Sequence, residues 1–336
     1  MTQQREKLLE IKGLKTQFET KKGTGKIVDG IELTVHKGET LGIVGESGCG
    51  KSMTSLSILQ LVPEPGEIVE GTIMLNDENL LEKTEKEMRK IRGNNISMIF
   101  QEPMTSLNPV ITIGEQISET IRKHQGLGRK EANKKAIEML KLVGIPSPEQ
   151  RAKQEPFQLS GGMRQRVMIA ISLACNPEVL IADEPTTALD VTVQAQILKL
   201  IKKLQEQSNM GVIFITHDLG VVAEVCDQVA VMYAGEIIEQ STTRELFKNP
   251  KHPYTKGLLN SLPKLHEDQE ELVAMKGSIP SPFTEHVGCK FVDRCPIAQE
   301  SCFMDRPNLI TYDKGEYQVR CFVYEREHGR KEEVYG

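Results

Sequence analysis

Apolar and polar residues follow patterns along the first hundred residues that predict strands and short helices. Leu8–Leu14 and Gly30–Val35 are predicted strands of an antiparallel edge, and a polar loop rich in Gly and Lys, Thr20–Lys26, joins them. The elements predicted next are a strand at Leu41–Val44, a helix at Met53–Leu61, a strand at Gly71–Leu75, a helix at Glu85–Arg92 and a strand at Ile96–Phe100. This mixture predicts an α/β core.

Between residues 113 and 142 the apolar residues recur at helical spacing. Ile113, Ile117 and Ile121 follow one another at intervals of four, and Ala136 and Leu140 repeat the interval. Such spacing gives a helix one apolar face. The pattern predicts a helical insertion that runs to about residue 151, within a helical subdomain of about residues 102–175.

The pattern continues through the second half of the chain. The elements predicted here are a helix at Gly161–Ala174 capped by Ser160, an apolar strand at Val179–Ala182, a helix that begins at Asp190, a strand at Gly211–Thr216, and a hairpin of Asp227–Met232 and Glu236–Glu239 that turns at Ala234–Gly235. The strand at Val179–Ala182 is apolar throughout, which is typical of a parallel strand buried on both faces.

One stretch carries the clearest chemistry. GESGCGKS, Gly45–Ser52, follows the predicted strand at Leu41–Val44 and matches the phosphate-loop pattern G-x-x-x-x-G-K-[ST]. Glycines without a Cβ let backbone N–H groups surround an anion, and the start of a helix adds partial positive charge. Lys51 would supply a cation for the β- and γ-phosphates, and Ser52 a hydroxyl for Mg²⁺. We therefore predict a nucleoside triphosphate site.

Four later motifs narrow the class of nucleotide-binding protein. They are Gln101 in IFQEP, LSGGMRQR at Leu159–Arg166, VLIADEP at Val179–Pro185 and ITHD at Ile215–Asp218. In order and spacing, together with the phosphate loop, they resemble the motifs of ATP-binding cassette (ABC) ATPases. The resemblance implies an α/β, ABC-type phosphate-loop ATPase core with an antiparallel β subdomain and a helical subdomain.

The resemblance also implies roles for particular residues. Asp183 would hold Mg²⁺ together with Ser52 and Gln101. Glu184 would polarise the attacking water, and His217 would contact the γ-phosphate, so that Glu184, His217 and Gln101 are the predicted catalytic residues. The residues implied to bind ATP directly are Gly45, Glu46, Ser47, Gly48, Cys49, Gly50, Lys51, Ser52 and Met53, with Phe18 as the candidate for stacking on adenine.

A second anion site is predicted at the helix that Ser160 caps, because Gly161 and Gly162 leave N–H groups bare in its first turn. The resemblance explains two anion sites by a head-to-tail dimer. In such a dimer, Ser160, Gly161 and Gly162 of one subunit close on the nucleotide that the other binds. Asp190 ends a stretch, Pro185–Asp190, that resembles the loop crossing this dimer. The expected partner is a paralogous cassette or a second copy, and the helical insertion would receive two transmembrane permease subunits.

Composition changes this picture little. The chain has 336 residues, 38% of them hydrophobic and 26% charged, which is ordinary for a protein with a buried core. Its formal net charge of −5 argues against broad attraction to nucleic acid. No apolar run is long enough to span a bilayer, and the first ten residues lack the apolar segment of a signal peptide. The expected location is therefore the cytoplasmic face of the cell membrane, reached through the permease subunits.

The cassette pattern accounts for residues 1–246 and leaves 247–336 as a C-terminal extension. The segment NPKHPYTKGLL at Asn249–Leu259, GSIPSP at Gly277–Pro282 and GCKFVDRCPIAQESC at Gly288–Cys302 resemble the extension of ATPase subunits in dipeptide and oligopeptide importers. This resemblance implies ATP hydrolysis that drives peptide import, with an extracytoplasmic peptide-binding protein as a further partner. Nickel and sugar-oligomer importers share this type of ATPase and remain alternatives for the cargo.

Four cysteines lie in the extension, at positions 289, 295, 302 and 321, separated by 5, 6 and 18 residues. This is neither the C-x₂-C pairing of structural zinc nor the run found in bacterial ferredoxins. Four thiolates suit either a 4Fe–4S cluster or zinc, and the resemblance favours 4Fe–4S over zinc, with disulfides or free thiols as a third alternative. Arg294 and Arg320, each beside a cysteine, would offset the charge of a bound cluster. The cluster would organise a loop-rich extension too poor in apolar residues for its own core.

Two other classes compete with a transport ATPase. The first is a non-transport ABC ATPase that acts on ribosomes or DNA. Members with translation roles usually carry two cassettes in one chain, and DNA-repair relatives carry a long coiled coil, whereas this chain has one cassette and an insertion without long heptads. The second is an interaction module with a dead nucleotide site, against which Lys51, Asp183, Glu184 and His217 are all intact.

Overall fold

The structure is a computed structural model that describes residues 6–21, 23–101, 106–186, 189–261, 275–312 and 317–325. Its strands are β1 (Lys7–Thr20), β2 (Gly23–His36), β3 (Thr40–Val44), β4 (Gly66–Leu75), β5 (Glu78–Asn79), β6 (Ile96–Ile99), β7 (Val179–Asp183), β8 (Gly211–Thr216), β9 (Gln228–Tyr233), β10 (Glu236–Thr242), β11 (Leu309–Tyr312) and β12 (Tyr317–Arg320).

Its α-helices are α1 (Lys51–Ile58), α2 (Glu85–Ile91), α3 (Ile113–Gln125), α4 (Arg129–Leu142), α5 (Pro148–Arg151), α6 (Gly161–Leu173), α7 (Val191–Ser208), α8 (Leu219–Val225), α9 (Thr243–Lys248), α10 (Pro253–Asn260) and α11 (Glu300–Met304). Among the helices that the structure describes, none combines the length and apolar character needed to cross a bilayer. The predicted α/β core is confirmed.

The described residues group into two compact units, each built from separate stretches of chain. The first unit draws on residues 1–9, 35–40 and 75–214, and the second on residues 10–34, 41–74 and 215–336. The division follows spatial contacts, so it does not test the predicted boundary at residue 246, which remains a prediction.

In the first unit, β8, β7 and β6 are neighbours in one sheet, and the pair β6 and β7 is parallel. Helices α3, α4 and α6 pack against one another beside it. The apolar positions that predicted the helical insertion, Ile113, Ile117, Ile121, Ala136 and Leu140, are all buried. The periodicity therefore identified the faces that pack. Gly126, in the left-handed region at φ 66°, ends α3 and separates it from α4.

In the second unit, the strands follow the order β11, β12, β10, β9 and β3, with β3 parallel to β9. The predicted hairpin is confirmed, because β9 and β10 pair antiparallel from Tyr233 and Glu236 onward. Ala234 and Gly235 both have positive φ, 45° and 85°, which matches the twist of a two-residue hairpin turn.

The extension combines loops with strands that join the cassette sheet. Residues 275–299 form loops apart from one 3₁₀ turn at Val292–Arg294, as predicted, and β12 pairs antiparallel with β10 and so lengthens the sheet of the second unit. Tyr317 and Val319 on β12, and Phe291 earlier in the extension, are buried. The extension thus shares a core with the cassette strands and does not need one of its own.

Strands β1, β2 and β4 extend well beyond their predicted bounds, and packing explains the difference in β2 and β4. Gly23–Lys26 belongs to β2 although it reads as a loop. The Lys26 N–H donates to Pro282 O over 3.0 Å, and the Phe283 ring covers Gly25, where a Cβ would lie 2.6 Å from Cε1 of the ring. β4 begins at Gly66 and continues through Gly71, because Gly71 passes within contact distance of the β1 backbone.

Candidate functional site

The phosphate loop lies between β3 and α1, as the sequence predicts, within the second unit. Two of its glycines are required by close packing. A Cβ on Gly45, at φ 156°, would lie 2.2 Å from the carbonyl oxygen of Met232, and one on Gly50, at φ 112°, would lie 2.6 Å from that of Ile27. Gly48 also has a positive φ, 83°, but has open space around it. Gly45 and Gly50 therefore fix the loop against its neighbours, whereas Gly48 faces open space.

Lys51 opens α1 and is buried, at 6% exposure. Its Nζ donates to the carbonyl oxygens of Gly45 at 2.7 Å and Glu46 at 3.1 Å, and lies 3.8 Å from Cys49 Sγ. Backbone carbonyls are weak partners for a buried cation compared with a phosphate. This lysine is therefore arranged to exchange carbonyl contacts for phosphate contacts.

Cys49 is a packing residue within the loop. It is 1% exposed, and burial raises the pKa of its thiol, although the neighbouring Lys51 opposes the shift. A protonated, buried thiol is a poor nucleophile.

The other predicted binding residues of the loop differ in their exposure to solvent. Ser47 and Ser52 are exposed, and Glu46 and Met53 are partly exposed.

In the first unit, the predicted acidic residues and glutamine come together at one edge of the sheet. Ile99 pairs with Ala182 in the parallel register of β6 and β7, which brings the two carboxyl ends side by side. The Gln101 Nε2 donates to Glu184 Oε2 over 2.8 Å. Asp183, the last residue of β7, is 3% exposed.

The backbone of Glu184 is strained. Its φ of 45° lies in the left-handed region, which non-glycine residues rarely adopt. Such outliers cluster at functional sites because the surrounding fold must hold them in place. The left-handed conformation turns the chain directly after the buried strand β7 and so brings the Glu184 side chain to Gln101. The sequence predicts both residues for the site but carries no sign of this turn.

The predicted second anion site has the expected local form. The Ser160 Oγ accepts the Met163 N–H over 3.4 Å and so caps α6. Ser160 and Gly161 are exposed, and a Cβ at Gly161 would meet open space. Gly162 has a packing reason as well, because a Cβ there would lie 2.9 Å from Val193.

Asp190 caps α7 by accepting the Val193 N–H over 2.9 Å, as predicted, and is exposed. Thr187 and Ala188, within the stretch that resembles the dimer-crossing loop, lie outside the described residues.

His217 and Phe18 both belong to the second unit, which also contains the phosphate loop. His217 follows β8 directly and is exposed. Phe18 lies on β1 and is half-buried, with its ring against Gly66, where a Cβ would be 2.5 Å from Cζ. Phe18 therefore has a packing role, and its stacking on adenine stays a prediction.

Two arginines of the extension pair with carboxylates. The sequence predicts that Arg294 and Arg320 offset cluster charge beside Cys295 and Cys321, and this role stays a prediction. The Arg294 guanidinium forms two hydrogen bonds with the carboxylate of Glu46 in the phosphate loop, at 2.9 and 3.1 Å. The Arg320 Nε lies 3.6 Å from the carboxylate of Glu236. Each arginine already has a carboxylate partner in the cassette part of the chain.

The structure does not show the predicted metal site of the extension. In the described ranges, no three His, Cys, Asp or Glu side chains lie close enough together to hold a metal ion. Burial raises the pKa of Cys289 to about 12, and the charges of Cys302 and Cys321 add to this shift. The Cys289 N–H donates to Cys302 O over 2.8 Å, which ties two of the cysteine loops together.

The Gln299 N–H donates to Cys302 Sγ over 3.5 Å. The backbone N–H groups of Phe291, Ile297 and Val323 act to lower the pKa of Cys289, Cys295 and Cys321, respectively. Backbone N–H donors favour the thiolate over the thiol, and they surround the sulfurs of iron–sulfur sites. Burial nevertheless has the larger effect and raises the pKa of Cys289, Cys295 and Cys321. Four cysteine side chains are still the ligand type that iron–sulfur clusters take.

Comparison with known proteins places these features in a class. Residues 28–187 match the family model described as ABC transporter, and residues 238–302 match the one described as oligopeptide/dipeptide transporter, C-terminal region. The dimeric structure of MJ0796, a bacterial ABC transporter cassette, is 30% identical with a TM-score of 0.64, and the similarity covers 70% of this chain and 99% of that one. The fold and phosphate loop thus define an ABC-type ATPase.

Full-length relatives narrow the class. The oligopeptide transport ATP-binding protein AppD of Bacillus subtilis is 54% identical over 95% of this chain and 98% of its own length. The dipeptide transport ATP-binding protein DppD of the same organism is 49% identical over 96% of both chains. This chain belongs to the family of ATP-binding subunits of oligopeptide and dipeptide ABC transporters. Membership implies ATPase activity, dimerising cassettes and permease partners.

Proposed function

We propose that this chain hydrolyses ATP to drive the import of dipeptides or oligopeptides through separate membrane subunits. One observation carries the proposal: the similarity to AppD and DppD includes the extension as well as the cassette, over 95% and 96% of the chain. A cassette alone would indicate only an ABC ATPase. The extension supports the peptide group over other ABC transporters.

We assign the triphosphate to the phosphate loop, with Lys51 against the β- and γ-phosphates and Ser52 beside them. Hydroxyl, amide and carboxylate oxygens are the donors that Mg²⁺ prefers, and Ser52, Gln101 and Asp183 supply one of each. Bound Mg²⁺ would neutralise charge on the phosphates. These assignments rest on family membership and on the buried cation and buried carboxylate of the loop and of β7.

Glu184 and His217 are assigned to the attacking water. The hydrogen bond from Gln101 holds the Glu184 carboxylate at the end of β7, where it would orient the water. A second cassette would add its Ser160–Gly162 turn and its Asp190, which excludes bulk water from the triphosphate. Closure on ATP and opening after hydrolysis then form a two-state cycle that the helical insertion passes to the permeases.

This assignment makes the chain a peripheral subunit on the cytoplasmic face of the membrane, where two permease subunits hold it. The peptide would reach the permeases from an extracytoplasmic binding protein. The second cassette would be a paralogue or another copy of this chain.

Transport in reconstituted vesicles tests the function. The full chain, assembled with its permeases and binding protein, is expected to support ATP-dependent accumulation of a labelled peptide. The same vesicles should be offered nickel and a sugar oligomer, because importers for these cargoes share this ATPase type. Peptide uptake that continues without the chain, or uptake of nickel or sugar in place of peptide, would contradict the proposed cargo.

We also propose that the four cysteines of the extension hold a 4Fe–4S cluster. Four cysteines within one extension, one of which accepts a backbone N–H group, support a thiolate-bound cofactor. The cluster would serve to fix the loops that carry Cys289, Cys295 and Cys302 against β12, where Cys321 follows. Zinc is the alternative, because four thiolates suit both.

Anaerobic purification of the full chain separates these choices. The expected product is brown, contains about four iron atoms per chain, and loses its visible absorption on reduction. The Cys295→Ser variant should lose iron, whereas Cys175→Ala, at a buried cysteine outside the extension, should retain it. A colourless wild-type protein with zinc as its only metal would contradict the cluster.

A further inference from the structure

Two residues of the extension form hydrogen bonds with the phosphate loop, and both bonds are made to Glu46. The Arg294 guanidinium meets the Glu46 carboxylate in a fork, with N–O distances of 2.9 and 3.1 Å. The Tyr254 hydroxyl accepts the Glu46 backbone N–H over 2.9 Å. One contact holds the side chain of this loop residue, and the other holds its peptide group.

Arg294 is itself held in place. It is 6% exposed, and its Nε donates to Lys276 O over 3.0 Å while Nη1 lies 3.4 Å from the Tyr233 hydroxyl. Burial alone would lower the pKa of this guanidinium, but the bonds to Glu46 outweigh it and raise the pKa. Arg294 is thus a permanent cation whose direction is fixed by its contacts with Lys276 and Tyr233.

Tyr254 owes its position to the His-Pro-Tyr segment that marks the extension. His252 caps α10 by accepting the Tyr254 N–H over 3.1 Å, and Pro253 occupies the first helical position. Burial lowers the pKa of His252 to about 3, so that the ring stays neutral and remains an acceptor. Glu239 accepts the N–H groups of Lys251 and His252, which attaches the segment to β10.

The aromatic rings packed around Tyr254 fix the direction of its hydroxyl group, which meets the phosphate loop. The ring lies 4.7 Å from Tyr233 and 5.5 Å from Phe291, measured between centroids, and is fully buried. The whole segment therefore serves to present one hydroxyl group to the underside of the phosphate loop.

We propose that Arg294 and Tyr254 are positioning residues that prepare the phosphate loop for the triphosphate. The idea rests on the proposed function and deepens it, because it assigns the extension a role in nucleotide binding. Neither residue is placed on the nucleotide itself. Both act through Glu46.

The electrostatic reason lies in the charge of the loop. A triphosphate carries several negative charges, and Glu46 adds a carboxylate within the loop that must bind it. Repulsion between a carboxylate and a phosphate in a partly buried site weakens binding by roughly tenfold or more. Arg294 neutralises the carboxylate and draws it toward the extension, so Lys51 and the loop N–H groups face the phosphates without competition from Glu46.

A double-mutant cycle tests this role in the full chain, with ATP affinity measured by titration while magnesium is chelated to prevent turnover. Arg294→Ala is expected to weaken ATP binding about tenfold, because Glu46 is left unpaired. In the Glu46→Gln background the same change should cost less than about threefold, because no carboxylate is then left unpaired. Arg294→Lys should be intermediate, since it keeps the charge and loses the fork.

Rescue separates positioning from support of the fold. Arg294→Ala and Arg294→Ala/Glu46→Gln lose the same hydrogen bonds to Lys276 and Tyr233, so a purely structural defect would remain in both. Arg306→Ala removes another arginine pair of the extension, with Asp29 and Glu236, and any loss of affinity there should not respond to Glu46→Gln. Unchanged affinity in Arg294→Ala, or a double variant as weak as the single, would overturn the role of Arg294.

Tyr254→Phe tests the second contact. The variant keeps the ring packing and loses the acceptor for the Glu46 N–H, which should weaken ATP binding about fivefold. Tyr312→Phe, elsewhere in the extension, is the matched control and should bind as wild type does. Equal affinity in Tyr254→Phe and wild type would overturn the role of Tyr254. A wild-type chain that binds no ATP would instead refute the proposed function itself.

Discussion

Replacing Glu184 with glutamine is expected to remove most ATP turnover while leaving ATP binding close to normal. Glutamine has the same size and still meets Gln101, but it cannot draw a proton from water. We expect steady-state hydrolysis to fall about 10²-fold or more, which is the scale of losing a general base. ATP affinity should stay within about threefold, since Glu184 is assigned to the water and not to the phosphates. The closed dimer should also accumulate when ATP is present.

Glu178→Gln is the matched control. Glu178 lies at the opposite end of the same strand, immediately before β7, and its carboxylate accepts from Asn76 and Asn95. Neutralising it removes one negative charge near the same strand without touching the carboxyl end. Turnover in Glu178→Gln should match wild type. If Glu184→Gln hydrolyses ATP at the wild-type rate, Glu184 does not act on the attacking water.

Replacing Lys51 with alanine is expected to weaken nucleotide binding itself. The ammonium group is buried among the carbonyl oxygens of Gly45 and Glu46, and we assign it to the β- and γ-phosphates. Removing a fully desolvated charge that pairs with phosphate weakens binding by roughly 10²-fold or more. ATP titration of the purified chain, and peptide uptake by the vesicles described above, should both report this loss.

Lys15→Ala provides the control for Lys51. Lys15 belongs to the same unit and pairs with Glu70 at 2.6 Å, but it is an exposed surface ion pair, which contributes little. Its loss should leave ATP affinity unchanged. Thermal unfolding of each variant without nucleotide separates loss of binding from loss of fold. If Lys51→Ala binds ATP within about threefold of wild type, Lys51 does not contact the phosphates.

The sequence determined most of the local structure, because each signal acts over a short range. Ile113, Ile117 and Ile121 define a helix face by spacing alone, and that face is buried. Ser160 and Asp190 predict helix caps by residue type, and both form the expected hydrogen bonds. The glycines and lysine of the phosphate loop likewise follow from a contiguous pattern between a strand and a helix.

Other features depend on residues far apart in the chain, and no local pattern could predict them. Gly23–Lys26 reads as a loop but is a strand because Pro282 and Phe283 pack on it. Arg294 was assigned to a cluster by its neighbour Cys295, whereas the fold turns its guanidinium to Glu46, 248 residues away. Sequence adjacency says nothing about side-chain direction in an irregular segment.

The sequence by itself therefore determined the class of protein, the phosphate loop, the helix caps and the apolar faces, since these depend on residue type and short spacing. Only the tertiary structure decided that Glu184 takes a left-handed turn to meet Gln101 and that the extension joins the cassette sheet through β12. It also decided that Tyr254 and Arg294 both bind Glu46. Such contacts arise when strands and loops from distant parts of the chain pack together, and their free energy depends on geometry that no single segment contains.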